Sequence, residues 1–293
     1  MRYQRLLIGL LGLALWSVAQ AQTPAATTAV PRVTAVGDLL VAPTRVILDD
    51  RTRTAEITLI NVGAAKATYR VSFLHQRMSE VGEMKIIEAG QEAADERFAD
   101  ELVRFTPRQV VLEPRLAQTL RVQLRLPEGL ADGEYRSHLL FRAVPDAVAP
   151  AAPGADQANE LAIELRPVYG VSIPLIVRHG ATSATVTLSD LALQAPAAAD
   201  QPSVLTVRLN RSGTASCYGN LVVNLLPVGG GKAVTVGTIG GVAVYTPNAT
   251  RVVQMPLTAI PAGVTLQGTL QIVYQEKQEQ GGAVLAEGTL QVP

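Results

Sequence analysis

The feature that most constrains this chain is a strict alternation of apolar and polar residues in short runs. In Leu120-Arg121-Val122-Gln123-Leu124-Arg125-Leu126 every second side chain is apolar, which is the period of a β-strand with one buried and one exposed face. A helix would scatter these apolar side chains around its axis. The same alternation recurs along the chain, at residues 56–59, 69–73, 135–143, 185–188, 205–209 and 270–274.

The spacing of these runs predicts the architecture. About seven short strands in each half, separated by turn residues, are typical of antiparallel β-sandwiches. We therefore expect an all-β chain with two sandwich domains, residues 36–178 and 179–293, divided where His179-Gly180 ends one strand just before the next begins. Weak helical patterns lie at 78–90 and 91–103, and we interpret the second stretch as a loop with about one helical turn.

The N-terminus has the pattern of a targeting segment. Arg2 and Arg5 precede an apolar run from Leu6 to Trp16, and Ala19-Gln20-Ala21 offers a small-x-small cleavage site. This pattern predicts a signal peptide, residues 1–21, cleaved near Ala21, with an uncleaved membrane anchor as the alternative. Residues 22–35 are rich in Ala, Pro and Thr and predict a disordered linker.

Composition excludes several classes of function. Lys and Arg number 25 and Asp and Glu also 25, so the chain lacks the excess positive charge on which nucleic-acid binding normally depends. One cysteine, Cys217, and three histidines cannot supply a disulfide or a Cys/His zinc site. The sequence shows no nucleophile elbow, and the GGGK run at 229–232 is followed by Ala233 where a phosphate loop needs Ser or Thr. We expect no enzyme activity, cofactor, metal or small-molecule substrate.

Residues 36–178 carry the motifs of a known family. Residues 43–49 place an arginine before a hydrophobic triplet and an acidic turn, 106–114 have the sequence TPRQVVLEP, and 118–122 follow with an arginine in the next strand. Residues 132–145 match a later strand that ends at a proline. In these segments the chain resembles the N-terminal domain of the periplasmic pilus chaperones of the chaperone–usher pathway. The second half resembles the family only in size, strand content and position.

The resemblance implies a boomerang of two immunoglobulin-like β-sandwich domains located in the periplasm. Its partners would be pilus or fimbrial subunits, and an outer-membrane usher to which they are delivered. Such subunits lack one strand, and the chaperone lends its own edge strand by donor-strand complementation.

The candidate donor strand lies late in the first half. Leu161, Ile163 and Leu165 share one parity while Glu164 and Arg166 take the other, so a strand here would present three apolar side chains together. Residues Tyr169, Val171 and Ile173 continue that parity beyond Pro167. We interpret all six apolar residues as subunit-binding. An ordinary core strand is the alternative, and it is as well supported as the donor role for Tyr169, Val171 and Ile173.

The resemblance also implies charged site residues. In the family an arginine of the first strand and a lysine of the seventh anchor the subunit's terminal carboxylate. Arg45 matches the arginine, but the lysine position falls on Pro174, with Arg166 as a candidate for the second cation. Glu134 and Arg178 match a pair that ties the two domains together.

Two functions follow from the sequence. The first is a chaperone that binds, folds and caps pilus subunits. The alternative is a secreted structural or adhesive protein of immunoglobulin-like sandwiches without chaperone activity.

Overall fold

The computed structural model describes residues 34–36, 38–145, 168–196, 198, 201–261, 263–277 and 281–293. All the regular structure within these ranges is β, which confirms the predicted all-β class. The strands of the first half are β1 Thr34–Val36, β2 Leu39–Ala42, β3 Val46–Asp49, β4 Thr54–Asn61, β5 Ala67–Leu74, β6 Gln76–Met78, β7 Met84–Ile86, β8 Val103–Thr106, β9 Gln109–Leu112, β10 Ala117–Leu124, β11 Gly133–Val144 and β12 Gly170–His179. Those of the second half are β13 Ala184–Gln194, β14 Val204–Gly213, β15 Cys217–Pro227, β16 Val234–Val244, β17 Thr250–Pro256, β18 Gly268–Gln275 and β19 Val284–Val292.

The first sandwich consists of two sheets of five strands. Sheet A has the order β1-β2-β4-β10-β8, and sheet B has the order β3-β12-β11-β5-β9. The alternation of apolar and polar residues determines which side chains enter the core between these sheets. In β10, Leu120, Val122 and Leu124 are buried and the residues between them are exposed. On the facing sheet, Leu139 and Phe141 of β11 are fully buried in the same cluster.

The second sandwich also has two sheets. Sheet C has the order β13-β14-β17, and sheet D has the order β16-β15-β18-β19. Alternate residues of the central strands β14 and β15 point into the space between these sheets and are fully buried there. They are Leu205, Val207, Leu209, Leu221, Val223 and Leu225.

Apolar side chains of the first half also enter the second core. Ile176 of β12 and Met78 of β6 are buried in that cluster, and Ile47 of β3 packs against it. The described residues of the two sandwiches accordingly belong to one compact unit. Sheet B therefore uses one face for its own core and part of the other face to contact the second sandwich.

The connection between the sandwiches is short and tightly held. The Gly180 amide donates a hydrogen bond of 2.9 Å to the Asp50 carboxylate, which also contacts His179 Nδ1 at 2.7 Å. Gly180 has a φ of +63°, and a Cβ there would overlap the Asp132 carboxylate. Glycine is therefore needed at this turn.

Three sequence predictions are corrected or lie beyond the described residues. The weak helical candidate at 78–90 instead contains most of the antiparallel β6–β7 hairpin, with Gln76 opposite Ile86. The predicted linker 22–35 loses its last two residues to β1, which pairs with β2. The signal peptide lies outside the described ranges. Within those ranges, no helix is long and apolar enough to cross a membrane.

Candidate binding cleft between the two sandwiches

A cleft of about 550 Å³ separates the two sandwiches on one side of their junction. From the first sandwich it is lined by Arg45, Ile47 and Arg178, and from the second by residues that include Tyr218 and Glu276. The outer face of sheet B forms its first wall. Arg45 and Tyr218 lie far apart in the sequence, so the sequence alone could not have predicted that they line the same cleft.

Glu134 and Arg178 form a buried ion pair beside this cleft. They lie opposite each other on β11 and β12, and the Arg178 Nε donates to Glu134 Oε2 at 3.0 Å, where the carboxylate side chain is fully buried. Both also bond to the second sandwich. The Ser216 amide donates to the same carboxylate oxygen at 3.0 Å, and Arg178 Nη2 donates to the Ser216 carbonyl at 2.9 Å.

Arg45 projects into the cleft from the turn between β2 and β3. Its Nη1 donates a hydrogen bond of 2.9 Å to the Tyr245 hydroxyl. Its guanidinium carbon lies 4.5 Å from the centre of the Tyr218 ring and 5.2 Å from that of Tyr245. These are cation–π contacts. No carboxylate among the described residues forms an ion pair with Arg45.

A second guanidinium lies under the same tyrosine. Arg136 of β11 is only 7% exposed, and its guanidinium carbon is 4.5 Å from the Tyr245 ring centre. Within the described part of the chain, its Nε and Nη1 are buried and have no hydrogen-bond partner. Burial lowers the pKa of Arg136, the nearby Glu134 carboxylate opposes this effect, and the positive charge of Arg45 adds to it.

His138 continues this row of basic side chains on β11. It is buried, and burial together with the positive charges of Arg136 and Arg45 lowers its pKa to about 3. The imidazole is therefore neutral at pH 7. The outer face of β11 thus presents Glu134, Arg136 and His138 at successive even positions.

Sequence reasoning missed Arg136 as a site residue. The sequence contained a signal for Arg136, because residues 134, 136 and 138 share one strand face and Glu134 was already predicted to lie at the junction between the two domains. Pro174, which the resemblance places at the position of a lysine, lies on β12 directly opposite His138. The residue that could supply a second positive charge next to Arg45 thus comes from the neighbouring strand.

The structure corrects part of the predicted donor strand. Val171 and Ile173 are 5% and 2% exposed and belong to the first core, so they pack inside their own sandwich. In β12, Val171 and Ile173 lie on the face that points into the core. Gly170, Ser172 and Pro174 lie on the opposite face. Tyr169, by contrast, is 56% exposed. Leu161, Ile163, Leu165 and Arg166 lie outside the described residues.

Strand β12 has an open edge along its first half. It pairs with β11 from Gly170 to His179, but β3 covers its other side only from Leu175 to Arg178. Within the described ranges, residues 170–174 therefore have a strand on one side only. Arg45 directly precedes Val46, the residue of β3 that pairs with Leu175, and so it lies where the open edge ends.

Comparisons with known proteins gave matches among solved structures only. The chain is similar to the YadV chaperone, with 13% identity and a TM-score of 0.44 over 87% of this chain and 100% of that one. It is also similar to the CsuC–CsuE chaperone–tip adhesion subunit complex of Acinetobacter baumannii, with 13% identity and a TM-score of 0.41 over 86% and 96% of the two chains.

A third similar structure is the Salmonella enterica SafA pilin in complex with the SafB chaperone, with 15% identity and a TM-score of 0.40 over 88% of this chain and 98% of the matched chain. No family model matches the chain, and no curated protein sequence matches it.

Proposed function

We propose that the chain is a non-enzymatic periplasmic chaperone that binds pilus or fimbrial subunits by donating a β-strand and delivers them to an outer-membrane usher. The observation that carries the proposal is the open edge of β12 at residues 170–174, which ends beside Arg45. An open edge presents unpaired N–H and C=O groups to an incoming strand.

The charges at the end of this edge select the direction of the incoming strand. A strand that pairs parallel to β12, as β3 does further along, would bring its carboxyl end to Arg45 and Arg136. A strand in the opposite direction would bring its amino end to the same two guanidiniums, which repel an ammonium group. The cleft therefore favours a parallel strand whose terminal carboxylate is held by the guanidiniums.

Residues fall into three roles in this proposal. Arg45, assisted by Arg136, binds the carboxylate, and Tyr169 contacts the subunit next to the open edge. Leu161, Ile163 and Leu165 enter the groove of the subunit, as their shared parity predicts. Glu134 and Arg178 fix the second sandwich against the first, which keeps the cleft open to a strand.

The proposal also includes the domain organisation and the location. Residues 36–178 would form the chaperone domain and 179–293 the second immunoglobulin-like domain. The signal peptide, cleaved near Ala21, would direct the chain to the periplasm.

Co-purification from periplasm tests the function. Tagged protein should bring down a small exported β-rich subunit in stoichiometric amount, and the variant with Leu161, Ile163 and Leu165 replaced by Asp should not. Arg121→Ala serves as the control, because Arg121 is exposed on sheet A and, among the described residues, forms an ion pair only with Glu56. Recovery of the protein alone, as monomer or self-polymer, would contradict the proposal and favour the structural protein.

A further inference from the structure

The β6–β7 hairpin, residues 76–86, extends from the first sandwich to the second. It follows β5 directly, and its turn is closed by hydrogen bonds from the Ser79 amide to the Glu83 carbonyl and from the Gly82 amide to the Ser79 carbonyl. Arg77 fixes its base through two bonds to the Glu96 carboxylate, of 2.6 and 2.7 Å. The hairpin is thus an ordered element on its own sandwich.

Its tip makes apolar and polar contacts with the other sandwich. Met78 is 3% exposed and lies in the second core. The Asn248 side-chain amide donates to the Met78 carbonyl at 2.8 Å, and the Val252 amide donates to the Glu80 carbonyl at 2.7 Å. The Thr250 hydroxyl donates to the Glu80 carboxylate at 2.6 Å.

The contacts of the hairpin also cover one edge of sheet C. Strand β17, which holds Thr250 and Val252, is the last strand of sheet C. An uncovered edge strand is a site for unwanted pairing between chains. The hairpin satisfies one of its amides and lies across it at Gly82, which packs against the Arg251 guanidinium.

The hairpin is connected to two segments that neighbour Arg136. At its base, Leu74 of β5 pairs with His138 of β11. At its tip, Asn248 follows closely after Tyr245, the ring that contacts both Arg45 and Arg136. The hairpin therefore links the strand that neighbours Arg136 to the segment that carries its aromatic partner.

We propose that this hairpin is an interdomain strap that locks the two sandwiches in one orientation. Domains joined by a short connection normally move relative to each other unless the interface is large and apolar. Here the Glu134–Arg178–Ser216 contacts form one attachment point and the strap forms another. Rotation about either point is opposed by the other.

The strap is tested by measuring the distance between the sandwiches in the free protein. Spin labels at Thr119→Cys on β10 and Glu287→Cys on β19, both exposed positions, would be introduced in a Cys217→Ala background, and pulsed electron paramagnetic resonance would give the distance distribution. The strap variant is Met78→Ser with Asn248→Ala. The matched control is Lys85→Gln, a change at an exposed position of β7 that forms no hydrogen bond or ion pair with the described residues of the second sandwich.

The labelled protein with an unchanged hairpin and the Lys85→Gln control should each give one narrow distance distribution and one calorimetric unfolding transition. The strap variant should broaden the distribution and split the transition in two, with native circular dichroism retained. A narrow distribution in the folded variant would overturn the proposal. If Met78→Ser disrupts the second core, a second variant, Asn248→Ala with Thr250→Val, removes two hydrogen bonds of the strap and leaves that core unchanged. A broadened distance distribution in this variant would support the strap, and a narrow one would contradict it.

Discussion

Arg136 lies with its guanidinium carbon 4.5 Å from the centre of the Tyr245 ring, and it forms no ion pair with any described carboxylate. Arg45 contacts the same ring from its own position at the end of the open edge. Two positive groups thus converge on one tyrosine without an acidic partner between them. Burial of the Arg136 guanidinium costs free energy, and the Tyr245 ring and the nearby Glu134 carboxylate offset part of that cost. A carboxylate that arrives beside Arg45 would add a further favourable interaction.

Arg45→Ala should weaken subunit binding by more than about 1 kcal/mol, roughly a fivefold loss of affinity, because a charge-assisted hydrogen bond to a carboxylate is lost. Titration calorimetry with the purified subunit measures this loss. Arg121→Ala, which removes an exposed pair with Glu56, should leave affinity unchanged. Equal affinities for the two variants would reject the role of Arg45.

Arg136→Met should affect stability and binding in opposite directions. Methionine keeps the packing of the stem and removes a buried guanidinium whose Nε and Nη1 have no hydrogen-bond partner among the described residues, so the free energy of unfolding should rise by about 1 kcal/mol. Subunit affinity should fall at the same time. Urea unfolding and calorimetry measure the two effects. A fall in stability of more than about 1 kcal/mol would show that the Tyr245 contact outweighs desolvation.

Glu134→Gln should destabilise the protein by about 2 kcal/mol. It leaves Arg178 next to a neutral amide, and the loss from a fully buried pair is reduced because the Arg178 side chain is 30% exposed. A double-mutant cycle with Arg178→Met, followed by urea unfolding, isolates the coupling between the two residues. Additive losses would show that the pair contributes nothing beyond its separate contacts.

His138 makes the fold less stable in acid. Its pKa is about 3 in the folded protein and about 6.5 in the unfolded chain, so below pH 6.5 the unfolded state binds the extra proton. Stability should therefore fall between about pH 6.5 and 3, by about 2 kcal/mol at pH 5. Urea unfolding at pH 7 and pH 5 measures the loss, and His138→Gln should abolish most of it. A slope that persists in His138→Gln would assign the effect to other groups.

Ile173→Asp and Tyr169→Asp should differ in their effect on the fold. Ile173 is 2% exposed, so an aspartate there buries a charge without a partner and should cost more than about 4 kcal/mol. Tyr169 is 56% exposed, and its replacement should leave the fold intact and reduce subunit capture. Circular dichroism and co-purification distinguish the two. A folded Ile173→Asp protein would contradict the core assignment of Ile173 and support its role in the donor strand.

Alternation determined much of the fold in advance, because a two-residue period tells which side chains of a strand share a face. The sequence predicted Leu120, Val122 and Leu124 as a buried row, and the structure buries all three. The same logic could not decide what covers each face. For Val171 and Ile173, a core strand and a donor strand require the same pattern, and the difference depends on whether sheet A lies opposite them.

The sequence by itself determined the all-β class, and its resemblance to the pilus chaperones singled out Arg45, Glu134 and Arg178 as candidates. Tertiary structure decided the rest. The cleft joins Arg45 to Tyr245 across 200 residues of the chain, and the strap joins Met78 to Asn248 across 170. Contacts at such separations depend on how the sheets stack, and no local period or motif specifies that.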